Sequence, residues 1–307
     1  KRLADIYQVM PLHADYLQDF RFPVSPHPTT INVSGRWAAK FWSDNSNDTT
    51  PTVGEFIQHG NEVTGTFLDP TGDYRYLQGV VDGDSLKLST FDGGHAYLFT
   101  AKIAGDKMYG SHFSGPVFRN NWFAKRDDNA RLPDEFTLTK MKPGKSRLKF
   151  FYKDIDGRMI SLKDNRYKNK VVLVQIMGSW CPNCMDETAL LTKLYDEYKN
   201  KGVEVIGLAY ERSTNFRRSQ KSLRNFQKRF NVHYEILITG VSVNDSLRAQ
   251  KTLPQLEDIV GFPTTIFIGK SGNVEKIHTG FNGPGTGIHY DEQKKEFYGI
   301  VDELLAK

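Results

Sequence analysis

The only two cysteines of this 307-residue chain lie in the run GSWCPNCMDE, residues 178–187, with Pro182 and Asn183 between them. Three chemistries use a pair at that spacing: a structural cross-link, half of a metal site, or a reversible redox couple. A bond between Cys181 and Cys184 closes almost no loop, so it removes little entropy from the unfolded chain. A structural zinc site takes four ligands, and the sequence has neither a second CxxC nor a closely spaced histidine pair. A redox couple needs nothing more. One thiolate attacks a disulfide, and the second thiol, two residues on, attacks the mixed disulfide to release the product.

The elements that must position this pair are legible on both sides of it. VVLVQIM, Val171 to Met177, is a continuous apolar run that reads as a strand buried on both faces, and Leu190, Leu191, Leu194 and Tyr198 mark the buried side of a helix after it. Cys181 therefore falls where a strand gives way to a helix. The positive end of the helix dipole and unpaired backbone N–H groups favour thiolate there. Further strands are expected at VEVIGLAY and YEILIT. Hairpins are expected in KFFYKDIDGRMISL, turning at Asp156-Gly157, and in TTIFIGKSGNVEKIHTGF, turning at Gly272-Asn273, with a terminal helix on Phe297, Ile300, Val301, Leu304 and Leu305. Alternating strands and helices from 148 to 307 imply an α/β sheet with helices on both faces.

The first half has a different period. From Ile31 to about Lys125, eight short apolar-alternating runs, VSGRWAAKFW through VFRNNWFAK, are separated by turns such as His59-Gly60-Asn61, Asp82-Gly83 and Gly105-Asp106. This is the pattern of an all-β domain, an eight-stranded antiparallel meander closed as a barrel or folded as a sandwich. Its interior would either hold a ligand or be filled by side chains. Gly35-x-Trp37 faintly resembles the opening of lipocalin-like barrels. His59, His95 and His112 show no metal-site spacing and are read as turn or surface residues. The organisation expected is an irregular arm over 1–30, the β-rich domain over 31–126, a polar linker over 127–147 and the α/β domain over 148–307.

Bulk properties exclude several classes. Net charge is +5 and hydrophobic residues make up 38 %. No apolar run approaches the roughly 20 residues that cross a bilayer as a helix. The densest basic stretch, Phe216 to Phe230, carries Phe216, Leu223, Phe226 and Phe230 at helical spacing, so its cations are read as a solvated helix face rather than a nucleic-acid site. The chain starts at Lys1 rather than Met, as a trimmed secreted protein or a cloned one would.

The order strand, SWCPNC, helix, and then Gly261-Phe262-Pro263-Thr264-Thr265 before a hairpin resembles a thioredoxin fold. Within that fold it is similar to the TlpA-like branch of extracytoplasmic thiol:disulfide oxidoreductases. The resemblance spans about Arg147 to Lys307 and leaves the β-rich half outside. It implies a cis peptide before Pro263, with the Phe262-Pro263 backbone docking an extended client segment beside the cysteines. Trp180 either lines that surface or packs beneath it. Cys181 is expected to attack and Cys184 to resolve.

Thioredoxins proper carry a buried aspartate six residues before the first cysteine; here Gln175 stands in that place and cannot take a proton. TlpA-like proteins have a glutamate three residues after the second cysteine, which is Glu187 here. It is expected to accept the Cys184 proton, directly or through water; the alternative is a first-turn acid held by the helix dipole.

The resemblance implies a disulfide reductase or isomerase helper for client proteins, with the reductase direction preferred over the oxidant one and without cofactor beyond its own Cys181–Cys184 disulfide. A membrane-linked or soluble thiol donor would recharge it in the periplasm or another extracytoplasmic space, where it could be anchored through a removed N-terminal segment. A peroxiredoxin would need threonine where Gly178 stands. A soft-metal or small-molecule binding module is the alternative from another class, with the dithiol suited to Cu(I) and His278 or His289 brought near only by folding.

Overall fold

The eight alternating runs form eight antiparallel strands in chain order: β1 (Gly35–Trp42), β2 (Thr50–His59), β3 (Glu62–Asp69), β4 (Leu77–Asp82), β5 (Ser85–Phe91), β6 (Ala96–Ala104), β7 (Lys107–Ser114) and β8 (Phe118–Arg126). Each pairs with its sequence neighbours, and β8 pairs back onto β1 through Trp122–Phe41 and Arg126–Trp37, so the meander closes as a barrel. Closure removes the exposed edges an open sheet would present. The computed structural model describes residues 2–3, 6–7, 16–17, 20–23, 28–44 and 48–307. It divides into two compact units, Lys1–Asp69 with Tyr74–Leu132, and Pro70–Asp73 with Pro133–Lys307. The arm expected over 1–30 lies largely outside the described residues.

The barrel interior is filled by side chains, among them Trp37, Phe41, Phe67, Leu88, Phe99, Met108 and Trp122. Each such side chain contributes roughly 1.5–3 kcal/mol by leaving water. Trp37 is held at one end: its indole N–H donates to the Val33 carbonyl at 2.9 Å, and the Arg126 guanidinium stacks 4.4 Å above its ring. Gly105 turns the β6–β7 hairpin at φ +62°, a conformation that suits glycine. His112 corrects the expectation of a surface histidine. Its register opposite Phe99 points it inward, where it is 2 % exposed and stacks on the Phe99 ring at 4.5 Å.

The second unit is built on a seven-stranded sheet: β9 (Phe151–Asp154), β10 (Met159–Ser161), β11 (Val171–Met177), β12 (Val203–Ala209), β13 (Glu235–Ile238), β14 (Thr264–Ile268) and β15 (Val274–Thr279). Their order across the sheet is β10-β9-β13-β12-β11-β14-β15. β11 is parallel to β12 and antiparallel to β14, and all seven of its residues are buried.

The helices are α1 (Pro182–Tyr198), α2 (Phe216–Phe230), a five-residue α3 (Arg248–Thr252) and α4 (Ile288–Ala306). One face of the sheet packs on α1, α2 and α4 through Leu191, Leu194, Phe226, Phe297 and Val301. The other face is covered by α3 and by Leu148, Phe150, Leu253 and Leu256 from loops. In α2, Asn215 caps the first turn by accepting from Arg218 N, and Leu223 and Phe226 are buried beneath its basic face.

The stretch 127–147 is not wholly a linker, because the second unit begins at Pro133. Its polar residues form turns pinned to that unit: Thr279 N donates to Glu135 O, and Lys142 N donates to Gln255 O. Polar composition alone cannot separate such an ordered turn from a free tether.

Candidate active site

β11 delivers the chain to the cysteines and α1 carries it away. Cys181 is the N-cap of α1, its backbone extended and its sulfur accepting from Cys184 N at 3.2 Å; Pro182 takes the first helical position, where no N–H is missed. The two sulfurs are joined as a disulfide, with Cα atoms 5.2 Å apart. Cys181 is 4 % exposed and Cys184 is fully buried, so any partner reaches Cys181 first.

The Phe262–Pro263 peptide is cis. The Phe262 carbonyl lies 3.6 Å from Cys181 Sγ. Trp180 lies half-buried against this segment, its ring 5.7 Å from that of Phe262, its N–H donating to Tyr210 O at 2.8 Å, and the Arg212 guanidinium 5.4 Å over the ring. Gly178 allows the tight approach: a Cβ there would sit 2.2 Å from the Trp180 indole nitrogen.

Behind Cys184 lies a buried polar cluster set by strand register. Gln175 on β11 is opposite Thr265 on β14, and both side chains reach Glu187 on α1. Gln175 Nε2 donates to Glu187 Oε2 at 2.8 Å and lies 3.4 Å from Cys184 O, while Thr265 Oγ1 donates to Glu187 Oε1 at 2.8 Å. Gln175 Oε1 accepts from Thr188 Oγ1. Glu187 is fully buried, and burial pushes its carboxyl up to about 8 against the two hydrogen bonds, which favour the ionised form. A group with that affinity can take and return a proton near neutral pH. A solvated first-turn acid would not be held this way.

One pair near the site has no counterpart in the sequence pattern. Glu211, just after β12 and 7 % exposed, accepts from both Ser179 N and Ser179 Oγ, at 2.7 and 2.8 Å. It anchors the turn that leads into Trp180 and Cys181. Burial raises its carboxyl affinity while the Ser179 bonds lower it. An acid directly after a buried strand is the one signal that could have drawn attention to it. Of the histidines considered for a metal near the dithiol, His278 is buried on β15, and the one potential metal-holding group among the described residues, Glu135, His278 and Glu296, contains neither cysteine.

The Redoxin family model matches residues 133–293. Among curated proteins, the chain is 29% identical over 167 residues to the thiol-disulfide oxidoreductase ResA of Halalkalibacterium halodurans, covering 54% of this chain and 78% of that one. It is 31% identical over 140 residues to a ResA of Bacillus cereus, covering 45% and 70%. A solved thioredoxin-family thiol:disulfide interchange protein from Chlorobium tepidum TLS is similar over 54% of this chain and 99% of its own, at 21% identity and a TM-score of 0.39.

Proposed function

The chain belongs to the Redoxin family, on its thiol-disulfide oxidoreductase side, and from that premise we propose that it reduces disulfides of client proteins outside the cytoplasm. The observation that carries this reading is the setting of Cys181 Sγ, between the Cys184 N–H at 3.2 Å and the Phe262 carbonyl at 3.6 Å. The N–H and the helix N-terminus stabilise a thiolate. The carbonyl belongs to a backbone edge along which an extended client segment can pair.

In the reduced protein the Cys181 thiolate attacks one sulfur of a client disulfide. The Cys181–client bond forms as the client S–S bond breaks, and the departing client thiolate takes a proton from solvent. Cys184 passes its proton to Glu187 and attacks the Cys181 sulfur. The intramolecular disulfide forms, and the second client thiolate leaves with the proton that Glu187 held. The client gains two electrons and two protons, and a thiol or membrane-linked donor returns the electrons to the Cys181–Cys184 pair. Phe262 and Pro263 position the client, and Trp180 flanks it.

Trapping tests the assignment. Cys184→Ser is expected to accumulate mixed disulfides with clients and Cys181→Ser to form none; the reverse pattern exchanges the two roles. The couple's potential tests the direction. A value near about −270 mV supports client reduction, whereas one near about −120 mV makes the protein a disulfide donor. Placement outside the cytoplasm rests on the likeness to the TlpA-like branch, and fractionation of the native cells tests it.

A further inference from the structure

Three chemistry-bearing side chains lie together on the second unit, apart from the dithiol. His278 is on β15, Glu296 on α4, and Glu135 in the turn that Thr279 N pins through the Glu135 carbonyl. One imidazole nitrogen and one oxygen from each carboxylate lie within 4.8 Å of one another. Ligands about 2.0–2.2 Å from a common ion are separated by about 3–4 Å. His278 Nε2 and Glu135 Oε1 are already 3.8 Å apart, so Glu296, which is half-buried, is the side chain that closes in on an ion.

The histidine is prepared as a ligand rather than as a charged partner. His278 is 2 % exposed, with its ring between those of Phe136 and Phe297 at 5.0 and 5.1 Å. Its Nδ1 lies 3.1 Å from Gly280 O, and a carbonyl can only accept, so Nδ1 carries the proton and Nε2 keeps its lone pair. That Nε2 faces Glu135 Oε1 at 3.8 Å. Donation from the far nitrogen to a backbone carbonyl is the usual way a metal-binding imidazole is oriented.

Gln293 also meets the imidazole. Its Oε1 accepts from Asn282 N, so its NH₂ is the group turned toward Nε2, at a long 3.3 Å. It offers a weak positive dipole to the lone pair that a cation would take.

We propose that Glu135, His278 and Glu296 bind a single divalent first-row cation, Zn²⁺ being the probe, through one imidazole nitrogen and two carboxylate oxygens, with the open positions left to water. The donor set is borderline and hard, which separates this site from the soft Cys181–Cys184 pair. It also borders the active site through the sheet: His278 is opposite Thr265 in register, and Gly280 N donates to Pro263 O at 2.8 Å.

Calorimetric titration of the oxidised full chain with ZnCl₂ tests the proposal, repeated on the Cys181→Ser/Cys184→Ser protein, where no thiol competes. One ion per chain is expected in both, with thermal unfolding moved upward by Zn²⁺. Glu135→Gln and Glu296→Gln, both at accessible positions, are each expected to weaken binding by about ten-fold or more. Binding that vanishes with the cysteines, binding unchanged in both glutamine variants, or no binding at about millimolar Zn²⁺ would each overturn it.

Discussion

Gln175 Nε2 donates to Glu187 Oε2 across 2.8 Å in a fully buried setting, while the same amide nitrogen lies 3.4 Å from the carbonyl of Cys184. A glutamine that cannot itself titrate therefore holds a carboxyl that can, directly behind Cys184. Thr265, adjacent across the sheet, holds the other oxygen of the same carboxyl.

The first prediction concerns Glu187 itself. Its affinity is raised from 4.5 to about 8, so the stability it lends is fully present below pH 4.5 and is lost as pH rises through about 8. Glu187→Gln has no such loss. Urea unfolding of the oxidised proteins should show the variant gaining on the native chain as pH climbs through that window. Disulfide exchange by the variant should slow and lose its pH dependence near 8; an unchanged pH–rate profile removes Glu187 from proton transfer.

Gln175→Leu leaves Glu187 Oε2 and the Thr188 hydroxyl without their buried partner. Because the lost hydrogen bond favours the ionised carboxyl, the pH midpoint of the exchange rate should move upward. Stability should fall by about 1–3 kcal/mol. A midpoint that stays put while stability falls would make Gln175 a packing residue only.

Glu211→Ala removes both acceptors of Ser179. Loss of about 1 kcal/mol is expected for the two hydrogen bonds of the half-buried Ser179. A slower Cys181 alkylation rate in the reduced protein is expected as the turn loosens from the helix N-terminus. Glu211→Gln keeps one acceptor oxygen and should recover most of that rate.

In the barrel, both ring nitrogens of His112 are buried without a hydrogen-bond partner among the described residues, and burial pushes the imidazole down to about 4 from 6.5. Its contribution to stability is present above pH 6.5 and lost as pH falls through about 4. His112→Phe keeps the stack on Phe99 and removes the titration. Acid unfolding of the variant should begin at lower pH, and at neutral pH it should be more stable by about 1 kcal/mol; an acid limb identical to the native one would show that His112 is solvated.

Much of this molecule is legible in one dimension, and the reasons are local. Alternation along the eight runs of the first half shows because each strand has one face in a filled interior, as with Trp37, Ala39 and Phe41 on β1. Cys181 and Cys184 are legible because their chemistry depends on spacing, and Glu187 because it follows one helical turn later. His112 is misread because a histidine's burial depends on which residue it faces, and Phe99 is brought opposite it only by the hairpin. The turn at 133–147 looks like a tether because backbone bonds to distant Thr279 and Gln255 leave no trace in its composition.

The sequence by itself determined the two periodicities, the dithiol at a strand-to-helix junction and the proline segment that follows. Those are properties of neighbours within a few residues, where propensity and pattern act. Tertiary structure alone decided that β8 returns to β1, that Gln175 and Thr265 stand side by side to hold Glu187, that Glu211 anchors Ser179, and that Glu135 and Glu296 converge on His278. Each of these joins residues that strand register and helix packing bring together across long stretches of chain, and a buried charge or lone pair acquires its chemistry only from what is packed around it.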